Sequence, residues 1–134
     1  MAVKQHVTYF DNFQVKSYTE TFNGVKTHSK EFYPNGKMKC QSSFISGVLD
    51  KHYELNENGD MVFFIEGKRW KRWKYNKKGW KVLYEDSNGH WDKHTYNKKG
   101  YKIRTDTSSG MWVKYKYNKG GELIKTTNSV NSNE

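Results

Sequence analysis

Residues 69–79 read RWKRWKYNKKG, residues 90–100 read HWDKHTYNKKG and residues 111–121 read MWVKYKYNKGG. The stretches start 21 residues apart and share four registers: Trp70, Trp91 and Trp112; Trp73, His94 and Tyr115; Tyr75, Tyr96 and Tyr117; Gly79, Gly100 and Gly121. A period of that length marks a repeated supersecondary unit. A second turn, Asp86-Ser87-Asn88-Gly89 or Thr107-Ser108-Ser109-Gly110, falls midway through each unit. Asn-Gly and Ser-Gly supply the positive φ angles that tight hairpins require. The segments between turns hold 6 to 9 residues rich in aromatic and β-branched types, which is strand length and strand chemistry. Alternation agrees: Trp80, Val82 and Tyr84 share one face, as do Tyr101, Ile103 and Thr105, with Lys81, Lys102 and Arg104 directed oppositely.

The pattern extends towards the N-terminus at a period of 23, with Gly24-Val25 matching Gly47-Val48 and Asn35-Gly36 matching Asn58-Gly59. Tyr9 to Lys16 aligns with Phe32 to Lys39, except that Phe13 stands where the later copy has Gly36. The period changes near Gly59–Gly67 without a Pro- or Ser-rich linker, so residues 1–125 read as one domain. The tail, 126–134, is polar and patternless and reads as flexible. The expected fold is all-β: an antiparallel meander of about ten to twelve short strands built from 21- to 23-residue hairpin repeats. It forms either a single curved sheet or one rolled into a barrel or spiral.

Composition supports this and restricts function. Val, Ile, Leu and Phe make up about 18% of 134 residues and the net charge is +10, a balance that ordinarily gives disorder. Fifteen Trp and Tyr residues reverse that expectation, since each ring buries a large area and the chain is long enough for a core. Four leucines and one alanine argue against a helix bundle. No apolar run approaches membrane-spanning length and no leader pattern is present, so no membrane association is expected. Cys40 is the one cysteine, which points to a reducing cytoplasm and to a small apolar filler rather than a reactive thiol. Residues 1–66 carry 7 Lys against 8 acids, whereas residues 67–134 carry 17 Lys or Arg against 6 acids. A net of +11 in the second half implies an acidic partner.

Tyr75, Gly79, Asp86, Gly89 and Tyr96 have the spacing of the RHS or YD repeat, and Tyr96, Gly100, Gly110, Tyr115 and Tyr117 repeat it. The region 67–125 resembles that family, with Asn76, Asn97 and Asn118 in place of its name-giving aspartate and Thr107 in place of the second. Glu31-Phe32-Tyr33-Pro34-Asn35-Gly36-Lys37-Met38 and Gly47-Val48-Leu49-Asp50 resemble the MORN-variant repeat of YwqK-type antitoxin proteins, over 9–66, with Lys51 at that family's usual glycine. The RHS resemblance implies β-sheet repeats of the kind that build shells around toxins, although three units are too few for a shell. The YwqK resemblance implies a neutraliser of a toxin or defence effector, and the pair implies a bacterial or phage-infected cytoplasm.

No phosphate-binding glycine loop, Cys-x-x-Cys pair or nucleophile elbow occurs, so no catalytic residue and no cofactor is expected. His90, Asp92 and His94 share a strand face and have metal-ligand chemistry, but the other copies place Arg69, Lys71 and Trp73 or Met111, Val113 and Tyr115 there. That reads as variation on a sheet face, and no metal is expected. The repeated feature is a Trp beside cations: Arg69, Trp70, Lys71, Arg72 and Lys74; Trp91 and Lys93; Trp112, Lys114 and Lys116. The opposite face, with Trp73, Tyr75, His94, Tyr96, Val113, Tyr115 and Tyr117, is the candidate core. The expected function is non-enzymatic binding of an acidic protein, in the manner of an inhibitor. The alternatives are a nucleic-acid-binding module, a structural or assembly protein associating through an edge strand, an intramolecular ladder of cations over tryptophans and, last, a metal-dependent enzyme.

Overall fold

A computed structural model describes residues 2–130. Twelve strands follow in chain order: β1 (Val3–Tyr9), β2 (Val15–Phe22), β3 (Val25–Phe32), β4 (Met38–Ile45), β5 (Val48–Leu55), β6 (Met61–Glu66), β7 (Arg69–Tyr75), β8 (Lys81–Asp86), β9 (Trp91–Tyr96), β10 (Lys102–Thr107), β11 (Trp112–Tyr117) and β12 (Leu123–Asn128). Among the described residues there is no helix. Among the described residues, neighbours in sequence are neighbours in the sheet, and β1 and β12 each have a partner on one side only. The meander is therefore open, and the rolled barrel is set aside. The chain divides into two compact units at Lys71/Arg72, inside β7 rather than at the change of period. Thr126–Asn128 belong to β12 and pair with Val113–Tyr115, so the expected tail does not begin at 126; residues 131–134 lie outside the described residues.

The two periods have a structural cause. In the first unit β2 to β5, each of 8 residues, are joined alternately by the tight turns Asn23-Gly24 and Ser46-Gly47 and by a five-residue connection. Both residues of each tight turn have positive φ (51° and 81°, 52° and 80°), the geometry whose twist matches that of the strands. In the second unit β8 to β12 are 6 residues long, while the tight turn has grown to four residues such as Ser108 to Met111. Strand shortening outweighs turn lengthening, and the period falls from 23 to 21.

Most of the longer turns rest on an Asx acceptor, the turn at Thr107 excepted. Asn76 Oδ1 accepts from the N–H groups of Lys78 and Trp80, both at 3.0 Å. Asn97 does the same for Lys99 and Tyr101 at 3.0 Å, and Asn118 for Gly120 and Glu122 at 3.0 and 2.9 Å. Asp86 accepts from Asn88 and His90 at 2.9 and 3.2 Å. The position needs one oxygen with two lone pairs, which an asparagine amide and an aspartate carboxylate both supply. Asn97→Ala is expected to cost about 1–2 kcal/mol in urea unfolding, while Asn97→Asp stays within about 0.5 kcal/mol. Equal losses in the two variants would contradict this.

The expected core is absent. No hydrophobic side chain is buried among the described residues, and the most covered residue is Ser42, 7% exposed. Trp73, Tyr75, His94, Tyr96, Val113, Tyr115 and Tyr117 are half-buried, but so are Trp70, Trp91 and Trp112, so neither face is a core. Cohesion comes from side chains lying across neighbouring strands. Trp80 meets Tyr96 at 5.5 Å between ring centroids, and one repeat later Tyr101 meets Tyr117 at 5.1 Å. Tyr96 and Tyr117 also donate their hydroxyls to the Lys81 and Lys102 carbonyls, at 2.6 and 2.7 Å. Phe13 carries a local cost: it sits at φ +68° where the second copy has Gly36 at +88°, and it is 88% exposed.

Candidate functional site

Cross-strand register assembles one face of the second unit. Glu85 lies opposite Trp91, and Leu83 opposite Lys93. Lys93 lies opposite Asp106, Asp106 opposite Trp112, and Arg104 opposite Lys114. Lys114 then faces Thr127, and Lys116 faces Lys125. Trp91, Lys93, Trp112, Lys114 and Lys116 therefore share a surface, as strand alternation predicts. Register shifts occur between Lys102 and Arg104 and between Lys116 and Tyr117, outside the runs that carry the tryptophans. The first shift corrects one expectation: it sets Lys102 opposite Tyr96 and Arg104 opposite Thr95, so these two cations do not share a face.

Arg104 and Asp106 belong to this surface and were missed in the sequence, because only the register across three strands reveals them. The Arg104 guanidinium contacts Asp106 Oδ1 at 2.8 Å, and this hydrogen-bonded partner holds the Asp106 carboxyl below its ordinary range. Arg104 lies over the Trp112 ring at 5.3 Å and the Lys114 ammonium at 5.2 Å; the Lys93 ammonium lies 5.2 Å from the Trp91 ring. The intramolecular cation–aromatic ladder is thus present. Lys93, Lys114 and Lys116 remain exposed, as does Lys74 on β7. Arg72 pairs with Glu85 at 3.3 Å. Arg69, Trp70 and Lys71 belong to the first unit, with Arg69 and Lys71 exposed and Trp70 half-buried.

The His90, Asp92, His94 group does not converge. His90 precedes β9 and its ring lies 3.6 Å from Asp86, whereas His94 Nδ1 lies 3.2 Å from Thr105 Oγ1. Among the described residues no cluster of three ligating side chains suits a metal.

The β4–β5 register brings together a serine, a histidine and a carboxylate that are separate in sequence. Ser42 Oγ lies 2.5 Å from His52 Nδ1, and His52 Nε2 lies 3.5 Å from Glu54 Oε1. This resembles a nucleophile–base–carboxylate order. Ser42 is nevertheless almost wholly covered, and its strand is paired on both sides, so its neighbouring amides serve the ladders rather than an oxyanion. The relay holds two strands together.

Cys40 is half-buried with its Sγ 3.4 Å from Glu31 Oε2. Burial, and then Glu31, pushes the thiol up to about 11. At pH 8 its thiolate fraction should be on the order of a hundredfold below that of the unfolded chain. Iodoacetamide alkylation should slow accordingly; equal rates in native and urea-unfolded protein would contradict the assignment.

No protein-family model matches the chain, and no curated protein matches it. Solved structures do. A TcdB2–TccC3 structure without its hypervariable C-terminal region is similar at a TM-score of 0.51 and 14% identity, over 93% of this chain and 8% of that one. The Photorhabdus luminescens Tc holotoxin pore with a TccC3 mutation is similar at 0.50 and 15% identity, again over 93% and 8%. The chain spans less than a tenth of the length of these neighbours. The likeness is one of fold, and it supports an RHS-like β repeat.

Proposed function

We propose that this chain is a non-enzymatic binding protein whose second unit grips an acidic protein through the face bearing Trp91, Lys93, Trp112, Lys114 and Lys116. The observation that carries this is the exposure of Lys93, Lys114 and Lys116 on one register-matched surface, within a stretch of net charge +11. A protein is favoured over a nucleic acid because the Trp91 and Trp112 rings are occupied by the chain's own cations at 5.2–5.3 Å. Single-strand binding needs open ring faces for base stacking. An acidic protein needs ammonium groups held in place, which the ladder provides.

The finer reading is an antitoxin-like neutraliser that blocks a toxin or defence effector by occlusion in a reducing cytoplasm. The MORN-variant resemblance of residues 9–66 supports it, and the fold shared with toxin-complex chains is compatible with it. Capture from a nuclease-treated lysate of the native cells, on wild-type chain and on a Lys93→Glu, Lys114→Glu, Lys116→Glu variant, tests this. One stoichiometric acidic protein held by the wild type alone supports the proposal. Loss of all partners after nuclease favours nucleic acid, and equal capture by both chains moves the site elsewhere.

A further inference from the structure

We propose that β1 is a self-association edge, along which two copies of this chain pair antiparallel about His6. All seven residues of β1 are exposed, including Val3 and Tyr9 at 61% and Val7 at 39%. Among the described residues its ladder runs to β2 alone. The edge has little of the usual protection: Val3–Tyr9 contains no proline and one charge, Lys4, and its pairing with β2 is regular as far as Thr8.

The occupant follows from charge and from the strand's own sequence. The opposite edge, β12, sits in the stretch of net +11, with Lys125 directly opposite Lys116, so two such edges repel. β1 sits in residues 1–66, which carry 7 Lys and 8 acids, a net of −1, so two copies approach without that penalty. Antiparallel pairing about His6 overlaps all seven residues of each strand. It sets Val3 against Tyr9 and Gln5 against Val7 on one face, and Lys4 against Thr8 on the other, with His6 meeting its symmetry mate. Pairing about Lys4 would oppose two ammonium groups, and pairing about Gln5 would set Lys4 against His6. Pairing about Val7 also separates the cations but overlaps only residues 5–9; the His6 register separates them while overlapping the whole strand.

Disulfide trapping reads this register directly. In a Cys40→Ser background, His6→Cys should give a covalent dimer with oxidised glutathione, because its symmetry mate is directly opposite, within disulfide reach. Lys4→Cys should stay monomeric, since its mate lies four residue steps away, roughly 14 Å. Sedimentation equilibrium gives the second readout. Gln5→Lys combined with Val7→Lys should weaken association about tenfold, with an unchanged circular dichroism spectrum showing that the fold persists. A wild-type chain that is monomeric at several hundred micromolar overturns the proposal. So does trapping at Lys4→Cys, or at Thr126→Cys on β12, in place of His6→Cys.

Discussion

Gly100→Ala should lower the unfolding free energy by about 3 kcal/mol. Two costs coincide at this residue. Gly100 has φ +92°, a region that an L side chain enters at a cost of about 1–2 kcal/mol. A Cβ there would also lie 2.7 Å from Trp80 Cζ2, in a ring fixed against Tyr96. Moving the Trp80 ring would break the pair that repeats one unit later as Tyr101 and Tyr117. Gly89→Ala is the control: its φ is +84°, but a Cβ meets nothing within 4 Å. Its loss should be the conformational part alone, about 1–2 kcal/mol. Urea titrations with equal slopes would give both values. Equal losses for the two variants would show that the aromatic ladder at the turn does not hold the strands together.

Binding to the captured acidic protein should fall by two orders of magnitude or more when Lys93, Lys114 and Lys116 become glutamates. The substitution changes the charge of one small surface by six units, and rim charges act chiefly through the association rate. The loss should shrink as salt rises from 50 to 500 mM, because exposed charges are screened over about 10 Å at 0.1 M. The wild-type affinity should decline with salt less steeply than a duplex ligand demands, at about 0.9 log units per phosphate contact. Lys93 and Lys114 also cover Trp91 and Trp112, so circular dichroism and urea unfolding must show the variant folded. A folded variant with undiminished affinity would make this ladder structural only.

Particular residues show why some of this was legible in the sequence. The recurring glycines announced the turns because a positive φ is costly for anything else; Gly79, Gly100 and Gly121 stand at +85°, +92° and +85°. Alternation within β9 and β11 placed Trp91 with Lys93, and Trp112 with Lys114 and Lys116, on a common face. What alternation cannot carry is the match between strands. A bulge absorbs one residue, here Ile103, and decides that Arg104 rather than Lys102 joins Trp112. The contact between Ser42 and His52 is hidden for the same reason, since it exists only through the β4–β5 register. The missing core was not legible because aromatic content gives the area available for burial and not its partner. Here the rings cover neighbouring strands of their own sheet.

Lysine footprinting of the complex tests the central claim most directly. The free chain and the chain bound to its acidic protein are acetylated under limiting reagent and read by mass spectrometry. Lys93, Lys114 and Lys116 are exposed on the proposed face, while Lys98, Lys99 and Lys119 are exposed in turns and serve as internal references. The account predicts that the first three lose most of their reactivity on binding while the turn lysines keep theirs. Uniform protection of all six, or protection confined to the turn lysines, would contradict it.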